Sequence, residues 1–190
     1  SQAATFADSR ILESSRQTAM EMRANGMDWS FTPNIDVLRD QRWGRTVETF
    51  GEDQFLVGNM GIATIKGLQS NDFSGSKNVI ACAKHLIAGS SSINGLNASP
   101  TDVSKRTLFE IFLPPYRRAV QEANVFSIMA AHNEVAGMPG HMDKFMMNDL
   151  MRDRWGFKGF YVSDWNDISR IALWHHVAKD FKQSIEFSIN

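Results

Sequence analysis

The sequence has almost no cysteine, no excess of charge of either sign and no long apolar run. Its 190 residues include one cysteine, Cys82, which excludes an internal disulfide and a cysteine-rich metal site. The formal net charge of −1 gives no support for a nucleic-acid or membrane partner. No window offers about 18 uncharged apolar residues, so no membrane helix is expected. With 43% of the residues hydrophobic, what remains is one globular unit with a sizeable core.

Several short signatures of ligand binding are also missing. Neither GxGxxG nor GxxxxGK[ST] occurs, which weakens a nucleotide-binding assignment. The histidines lack the tight HxH and HExxH spacings of zinc sites, so we predict no metal site and no cofactor. The first residues, SQAATFADSR, lack a basic end followed by an apolar core, so they are not a signal peptide.

Apolar periodicity predicts helices that alternate with strands. Gly26 is placed to end the first helix, and Asp143 is placed to cap the fourth. The dipeptide Pro114-Pro115 predicts a break in the third helix. Helices are predicted over 9–25, 53–69, 103–124, 143–155 and about 168–187, and strands over 27–36, 78–85, 125–133 and 157–165.

The order of these elements limits the fold class to α/β. Strands separated by helices of this length imply parallel neighbours and right-handed crossovers. Four such strands form either a small doubly wound sheet or part of a (β/α)₈ barrel. A full barrel needs about 250 residues, more than this chain has. The missing phosphate loop weakens the doubly wound alternative.

Each predicted strand ends in polar or charged residues. In parallel α/β folds, ligands bind beyond the carboxyl ends of the strands, so these side chains are expected to converge on one mouth. The strand-end residues are Asn34 and Asp36, then Lys84 and His85, then His132 and Asn133, and finally Asp164 and Trp165.

These side chains also have purely structural interpretations. Asp164 or Asp167 can cap the last helix, and Asp167 is the better placed of the two. Lys84 can be a partly exposed lysine, and His85, taken alone, is more often a hydrogen-bonded core histidine than a ligand-binding residue. His132 can likewise be a core residue bonded to nearby backbone.

Three arginines cluster around one tryptophan after the first strand. Arg39, Arg42 and Arg45 are spaced three apart around Trp43, with several carboxylates close by. One interpretation is a salt-bridged loop. The other is that one arginine presents its planar fork to a polar ligand. We expect both, with most of the charges structural and one arginine used in binding.

The strand-end groups taken together suit a polyhydroxylated ligand. Charged donors and acceptors hold hydroxyl groups, and an indole covers the apolar face of a sugar ring. Asp164 is then the strand-end carboxylate placed to stabilise or attack positive charge at an anomeric carbon.

Four longer motifs make the assignment more specific. In order, FTPNIDVLRDQRWGRTVETFGED, AKHLIAG, SIMAAHNEVAGMPGH and LMRDRWGFKGFYVSDW resemble glycoside hydrolase family 3, the β-glucosidase and exo-β-glycosidase family, over residues 5–188. The resemblance implies that Asp164 forms a covalent glycosyl-enzyme in a retaining mechanism and that Trp165 walls the sugar subsites. It also implies that Arg45, Lys84 and His85 bind hydroxyls of the sugar that is released.

The chain departs from the family pattern in two respects. His132 stands where many members have tyrosine; it can still hydrogen-bond the nucleophile, and it can also become charged near neutral pH, so its role as a substrate-binding residue is open. The family's barrel is expected to begin before residue 1, and its general acid/base to lie in a following α/β domain or on a separate loop. We therefore expect residues 1–190 to be a single incomplete (β/α)-barrel catalytic-domain fragment, a partial TIM-type barrel of about four parallel strands, without the α/β domain that follows.

Three hypotheses about function remain. The first is a retaining exo-β-glycosidase that acts on a β-linked oligosaccharide or an aryl or alkyl β-glycoside through Asp164. The second is a catalytically incomplete fragment that binds sugar weakly or not at all, and the third is a Schiff-base lyase that uses Lys84. A periplasmic or secreted location is favoured, and open sheet edges allow a homo-oligomer.

Overall fold

Parallel strands that alternate with helices make up the architecture, so the α/β prediction is confirmed. The computed structural model describes residues 2–70 and 75–189. The helices are α1 (Asp8–Ala24), α2 (Gln54–Gln69), α3 (Lys105–Thr107), α4 (Leu113–Ala123), α5 (Asp167–Leu173) and α6 (Phe181–Ile189), with π-helical segments at Leu108–Phe112 and Phe145–Arg154. The strands are β1 (Cys82–Leu86), β2 (Ser127–Ala130), β3 (Glu134–Val135), β4 (Met138–Pro139) and β5 (Phe160–Val162).

The central sheet has the strand order β1-β2-β5, and both pairings are parallel. Cys82 lies opposite Ser127, and Ser127 lies opposite Phe160. The register between β1 and β2 shifts between Ala83 and Leu86. β3 and β4 form a separate antiparallel hairpin directly after β2. The predicted parallel neighbours are therefore present, and the described residues form an open three-stranded sheet.

The first predicted strand, residues 27–36, is not a continuous strand. The segment runs parallel to β1 and joins it only through isolated bridges, at Trp29 with Ile80 and at Asn34 with Lys84. Pro33 lies in the middle of the segment and has no N–H to donate, so a regular ladder cannot form there. The prediction of four strands is thus wrong for this segment, although the segment does lie beside β1 as expected.

Two predicted helix features are also different in the structure. The chain does not break at Pro114-Pro115; it stays helical, and the preceding Leu108–Phe112 widens into π-helical turns. A wider turn moves aside the carbonyls that the proline rings would otherwise contact, so the helix continues although the prolines have no N–H to donate. The single predicted helix over about 168–187 is two helices, because His176 has a left-handed φ of 53° and Asp180 starts a new helix by accepting a hydrogen bond from Gln183 N.

Other helix ends are as predicted. α1 ends just before Gly26, which has a φ of +77°. At the fourth predicted helix, the Asp143 carboxylate accepts a hydrogen bond from Met146 N at 2.9 Å. The backbone of both ends is therefore satisfied by the residues that the sequence indicated.

The core lies between the sheet and the helices α2 and α4. Buried side chains from the sheet, among them Ile128, pack against Ile65 and Leu68 of α2 and Leu113 of α4. Gln69 is buried among them and ties three segments together. Its amide donates to Asn124 O at 3.0 Å and accepts from Ala81 N at 3.2 Å and Phe126 N at 2.9 Å. Within the described ranges, no helix is long and apolar enough to cross a membrane.

Candidate active site

The sheet brings most of the predicted site residues to one edge. Asp164 lies two residues after β5, and His132 lies two residues after β2. Lys84 and His85 lie within β1, at the place where its register with β2 shifts. Because the three strands are parallel, these side chains share one end of the sheet. A register irregularity of this kind re-aims side chains, which is a common feature beside active sites.

Asp164 is the carboxylate at the centre of this group. Its Oδ2 lies 3.0 Å from His132 Nε2 and 3.6 Å from His85 Nε2. Its Oδ1 accepts a hydrogen bond from Trp165 N at 2.7 Å. The side chain is 17% exposed, so a ligand can reach it. It does not cap α5, because Asn166 occupies the N-cap position of that helix.

A buried carboxylate fixes the orientation of the His85 ring. Asp36 Oδ2 lies 2.8 Å from His85 Nδ1 and also accepts the backbone N–H of His85 at 3.3 Å. Both side chains are almost fully buried. The other ring nitrogen, Nε2, faces Arg45 NH2 at 3.1 Å and the Asp164 carboxylate. His85 is therefore both a hydrogen-bonded core histidine and a member of the site, so its two interpretations hold together.

Arg45 is the arginine of the cluster that reaches the site. Its guanidinium donates to both oxygens of Glu48, at 2.9 and 2.8 Å, and lies 5.3 Å from the ring centroid of Trp43. Burial lowers the pKa of Arg45, but the paired charge of Glu48 outweighs it and the net pKa is raised. Arg42 instead pairs with Asp40 at the surface and lowers the pKa of that carboxyl to about 2.

Lys84 is half-buried next to this network. In residues 2–70 and 75–189, its ammonium group makes no hydrogen bond or ion pair within the protein. A lysine in this setting can donate to hydroxyl groups of a ligand without first breaking an internal pair. Trp165, by contrast, projects from the site and is 75% exposed, so its indole presents a free apolar face.

Asp167 lies in the candidate site, although the sequence predicted it as a helix cap. The prediction that it caps the last helix is wrong, because Asn166 occupies the N-cap position of α5 and no side chain makes a capping hydrogen bond there. Both oxygens of Asp167 lie 2.9 Å from His132 Nδ1, and Arg170 NH1 donates to Oδ1 at 2.8 Å. The spacing of three between Asp167 and Arg170 in α5 is the signal that could have revealed it.

Burial and nearby charges act in opposite directions on Asp167. Its side chain is 2% exposed, which by itself raises its pKa. The hydrogen bond from His132 and neighbouring positive charge, including that of Arg170, outweigh burial and hold the pKa of Asp167 below its usual range. Asp167 is therefore an ionised carboxylate inside the protein.

Two further histidines complete the surroundings. His141 Nε2 accepts the backbone N–H of Asp164 at 3.4 Å, and burial lowers the pKa of His141 to about 4. His175 Nδ1 lies 3.1 Å from Glu134 Oε2, and its Nε2 lies 3.2 Å from the backbone oxygen of His132. The sequence analysis gave neither residue a role, because no local pattern connects them to Asp164.

The side chains of His132, Asp164 and Asp167 are close enough to one another to hold an ion. Their nearest ligand atoms lie within 4.8 Å of one another. In the structure the imidazole lies between the two carboxylates and forms close contacts with both. We assign no metal to this group, since each polar atom already has a hydrogen-bonding partner.

Comparison with known proteins gives a consistent result. The family described as "Glycosyl hydrolase family 3 N terminal domain" matches residues 1–190. A protein named beta-xylosidase from Formosa agariphila is 41% identical over 181 residues, which is 94% of this chain and 25% of that protein. The chain thus spans about a quarter of the length of such relatives.

Solved structures agree with the sequence relatives. A β-glucosidase from Erythrobacter marinus matches with a TM-score of 0.94 and 35% identity, over 98% of this chain and 25% of that one. A β-glucosidase from Listeria innocua in complex with glucose matches with a TM-score of 0.93 and 31% identity, over 98% of this chain and 26% of that one.

Proposed function

Because the chain belongs to glycosyl hydrolase family 3, we propose that it carries the nucleophile of a retaining exo-β-glycosidase for terminal β-D-glucosides or β-D-xylosides. The observation that carries the proposal is the position of Asp164. It is an accessible carboxylate just after strand β5 of the parallel sheet, and His132, His85 and Arg45 lie around it. The family's relatives include proteins named for both sugars, so the choice between glucose and xylose is left to experiment.

Asp164 acts in two displacement steps at the anomeric carbon. In the first step, a carboxylate oxygen bonds to that carbon while the bond to the leaving oxygen breaks, and the leaving oxygen takes a proton from a general acid. In the second step, water attacks the same carbon, its proton goes to the base, and the electron pair returns to Asp164. The donors at Trp165 N and His132 Nε2 stabilise the carboxylate when it departs.

The remaining predicted residues bind the sugar. Arg45 and His85 are held by Glu48 and Asp36 respectively, so their donors are already oriented before a sugar binds. Among the described residues the Lys84 ammonium group has no partner, so it can donate to a hydroxyl of the sugar. The exposed indole of Trp165 supplies an apolar plate beside the site.

The Schiff-base lyase hypothesis for Lys84 fits the site poorly. It leaves unexplained why Arg45, His85 and His132 surround Asp164 rather than Lys84.

We further propose that residues 1–190 are one incomplete (β/α)-barrel catalytic domain and that the general acid comes from outside them. The nearby carboxylates support this, because Glu48 is hydrogen-bonded to Arg45 and Glu134 is hydrogen-bonded to His175. The length of the relatives and the open sheet also support it. In the described sheet β5 has β2 as its neighbour on one side, so further strands or a second copy can pair with its other edge.

The test of the nucleophile is Asp164→Asn in the complete natural protein. Release of 4-nitrophenol from its β-glucoside and β-xyloside should fall by at least about 10³-fold, because the covalent step is lost. Asp153→Asn is the matched control, since Asp153 is exposed on the helix that precedes β5. The first sugar formed by the wild type should be the β anomer when followed by NMR.

Two results would contradict the proposal. Near-normal turnover by Asp164→Asn would show that another group is the nucleophile. An α anomer as first product would exclude the retaining mechanism. The ratio of the two turnover rates shows which sugar is preferred.

A further inference from the structure

The His132 ring lies between the carboxylates of Asp164 and Asp167, which are 32 and 35 residues further along the chain. Its Nδ1 is 2.9 Å from both oxygens of Asp167, and its Nε2 is 3.0 Å from Asp164 Oδ2. We propose that Asp167 is a positioning residue: it holds a proton on His132 Nδ1, so that the contact between His132 Nε2 and the Asp164 nucleophile carries a proton that catalysis needs. This inference rests on the proposed function of Asp164.

The placement of the proton follows from the neighbours of Nδ1. Asp167 is ionised and can only accept hydrogen bonds, so His132 Nδ1 must carry a hydrogen. Arg170 NH1 lies 3.0 Å from the same nitrogen and is itself a donor, so its hydrogen goes to Asp167 Oδ1 at 2.8 Å. Asp167 therefore selects the form of His132 in which Nδ1 is protonated.

The contact on the other side of the ring then needs a proton of its own. If His132 carried a hydrogen on Nδ1 alone, the Nε2 lone pair would face an ionised oxygen of Asp164 at 3.0 Å, which is repulsive. The contact is favourable when Nε2 is protonated and donates to Asp164. The nucleophile is thus ionised and hydrogen-bonded when His132 is an imidazolium held between two carboxylates.

The surrounding charges balance this arrangement. Asp164 and Asp167 carry negative charge, and Arg170 and the imidazolium carry positive charge, so the four side chains together are neutral. The other groups near His132 are His85, whose ring centre is 6.4 Å away, His141 next to both aspartates, and His175, which is paired with Glu134. His141 stays uncharged above about pH 4, because burial lowers its pKa to about that value.

The imidazolium assists both displacement steps without giving up its proton. During bond formation, one Asp164 oxygen becomes part of an ester, and the Nε2–H remains hydrogen-bonded to the carboxyl group. When water releases the sugar, the electron pair returns to Asp164 and the same N–H stabilises the charge that reappears. Loss of the proton at high pH should therefore slow the reaction.

The experiment measures kcat/KM against pH, from about pH 5 to about pH 9, in the complete protein. The substrate is the 2,4-dinitrophenyl β-glycoside of whichever sugar the wild type cleaves, since this leaving group departs without a general acid. The variants are Asp167→Asn, His132→Gln and the double variant, with Asp153→Asn as the control. Glutamine places an amide N–H where His132 Nε2–H lies but does not titrate.

Wild type should lose activity on the alkaline side of the profile. In Asp167→Asn this alkaline limb should move to lower pH, because the imidazolium loses a carboxylate within hydrogen-bonding distance. In His132→Gln the limb should be absent, and the double variant should match His132→Gln. Asp153→Asn should keep the wild-type profile.

The results separate this inference from the proposed function. An unchanged alkaline limb in Asp167→Asn would overturn the inference. A shift of the same size when Asp167→Asn is made in the His132→Gln variant would overturn it too. If Asp167→Asn does not fold, persistence of the wild-type limb in His132→Gln overturns it. If the wild type cleaves neither glycoside, the proposed function fails and this inference fails with it.

Discussion

Three aspartates lie in the site, and the environment of each decides what it can do. Asp36 is buried against His85, and Asp167 is buried against His132 and Arg170. Both are fully engaged as acceptors and cannot reach a substrate. The side chain of Asp164 is 17% exposed, whereas those of Asp36 and Asp167 are almost fully buried. Accessibility therefore favours Asp164 as the proposed nucleophile, while the two buried carboxylates orient histidines that contact it.

His141 should make the protein less stable in acid. Its pKa is lowered from 6.5 to about 4 by burial, so between these values the unfolded chain binds more protons than the folded one. The stabilisation is complete above about pH 6.5 and is lost as the pH falls toward about 4, by about 3 kcal/mol in total. Chemical unfolding followed by tryptophan fluorescence at several pH values measures this loss.

His141→Gln provides the comparison. Glutamine can still accept the backbone N–H of Asp164, but it cannot become charged. The unfolding free energy of the variant should fall less steeply over the same pH range than that of the wild type. The difference between the two slopes is the contribution of His141. Parallel curves for the two proteins would contradict the assignment.

At the scale of elements, the pairing of β2 with β5 depends on a close backbone approach. Gly159 precedes β5, and a Cβ at this position would lie 2.0 Å from Phe126 O. Phe126 O also accepts the hydrogen bond of Phe160 N at 3.1 Å, which starts the parallel ladder. The strand that delivers Asp164 is therefore placed by a glycine that lets two backbones touch.

Gly159→Ala should destabilise the protein by about 3 kcal/mol or more, because a backbone oxygen cannot move aside as a flexible side chain does. Gly156→Ala, in the same turn, is the matched control. It has a φ of +82° but no atom within 4 Å of the added Cβ, so its cost is about 1–2 kcal/mol from backbone strain alone. Equal losses in the two variants, measured by chemical unfolding, would show that the contact with Phe126 is not limiting.

At the scale of the whole molecule, the site is assembled from segments that are far apart in the chain. Asp36 and His85 are separated by 49 residues, and His132 and Asp167 by 35. Gln69 joins α2 to the residues that lead into β1 and β2, which fixes how these segments stack. Asp164, the proposed nucleophile, and the residues around it are thus held by one core.

The 190-residue chain on its own should turn over an aryl β-glucoside at least about 10²–10⁴-fold more slowly than the complete protein. The reason is the proposed absence of a general acid from these residues, since such a group contributes about that factor. Circular dichroism and one-dimensional NMR of the same sample show whether the chain is folded. Appreciable release that disappears in Asp164→Asn would mean that residues 1–190 supply the acid themselves.

The sequence by itself determined the α/β alternation, most helix ends and the position of Asp164 at the end of a strand. These features are local. Apolar runs indicate burial, Gly26 and Asp143 act on neighbouring backbone, and Ser163, Asp164 and Trp165 are consecutive residues. The family assignment also follows from contiguous motifs, and the comparisons confirm it.

Only the tertiary structure decided which side chains meet. The break of the first strand at Pro33, the π-helical turns before Pro114 and the split of the last helix depend on how each segment packs. The placement of Asp167 against His132 depends on the start of α5 lying beside the segment that follows β2. The physical reason is that a hydrogen bond between residues distant in the chain leaves no periodic trace in sequence, whereas burial of a strand does.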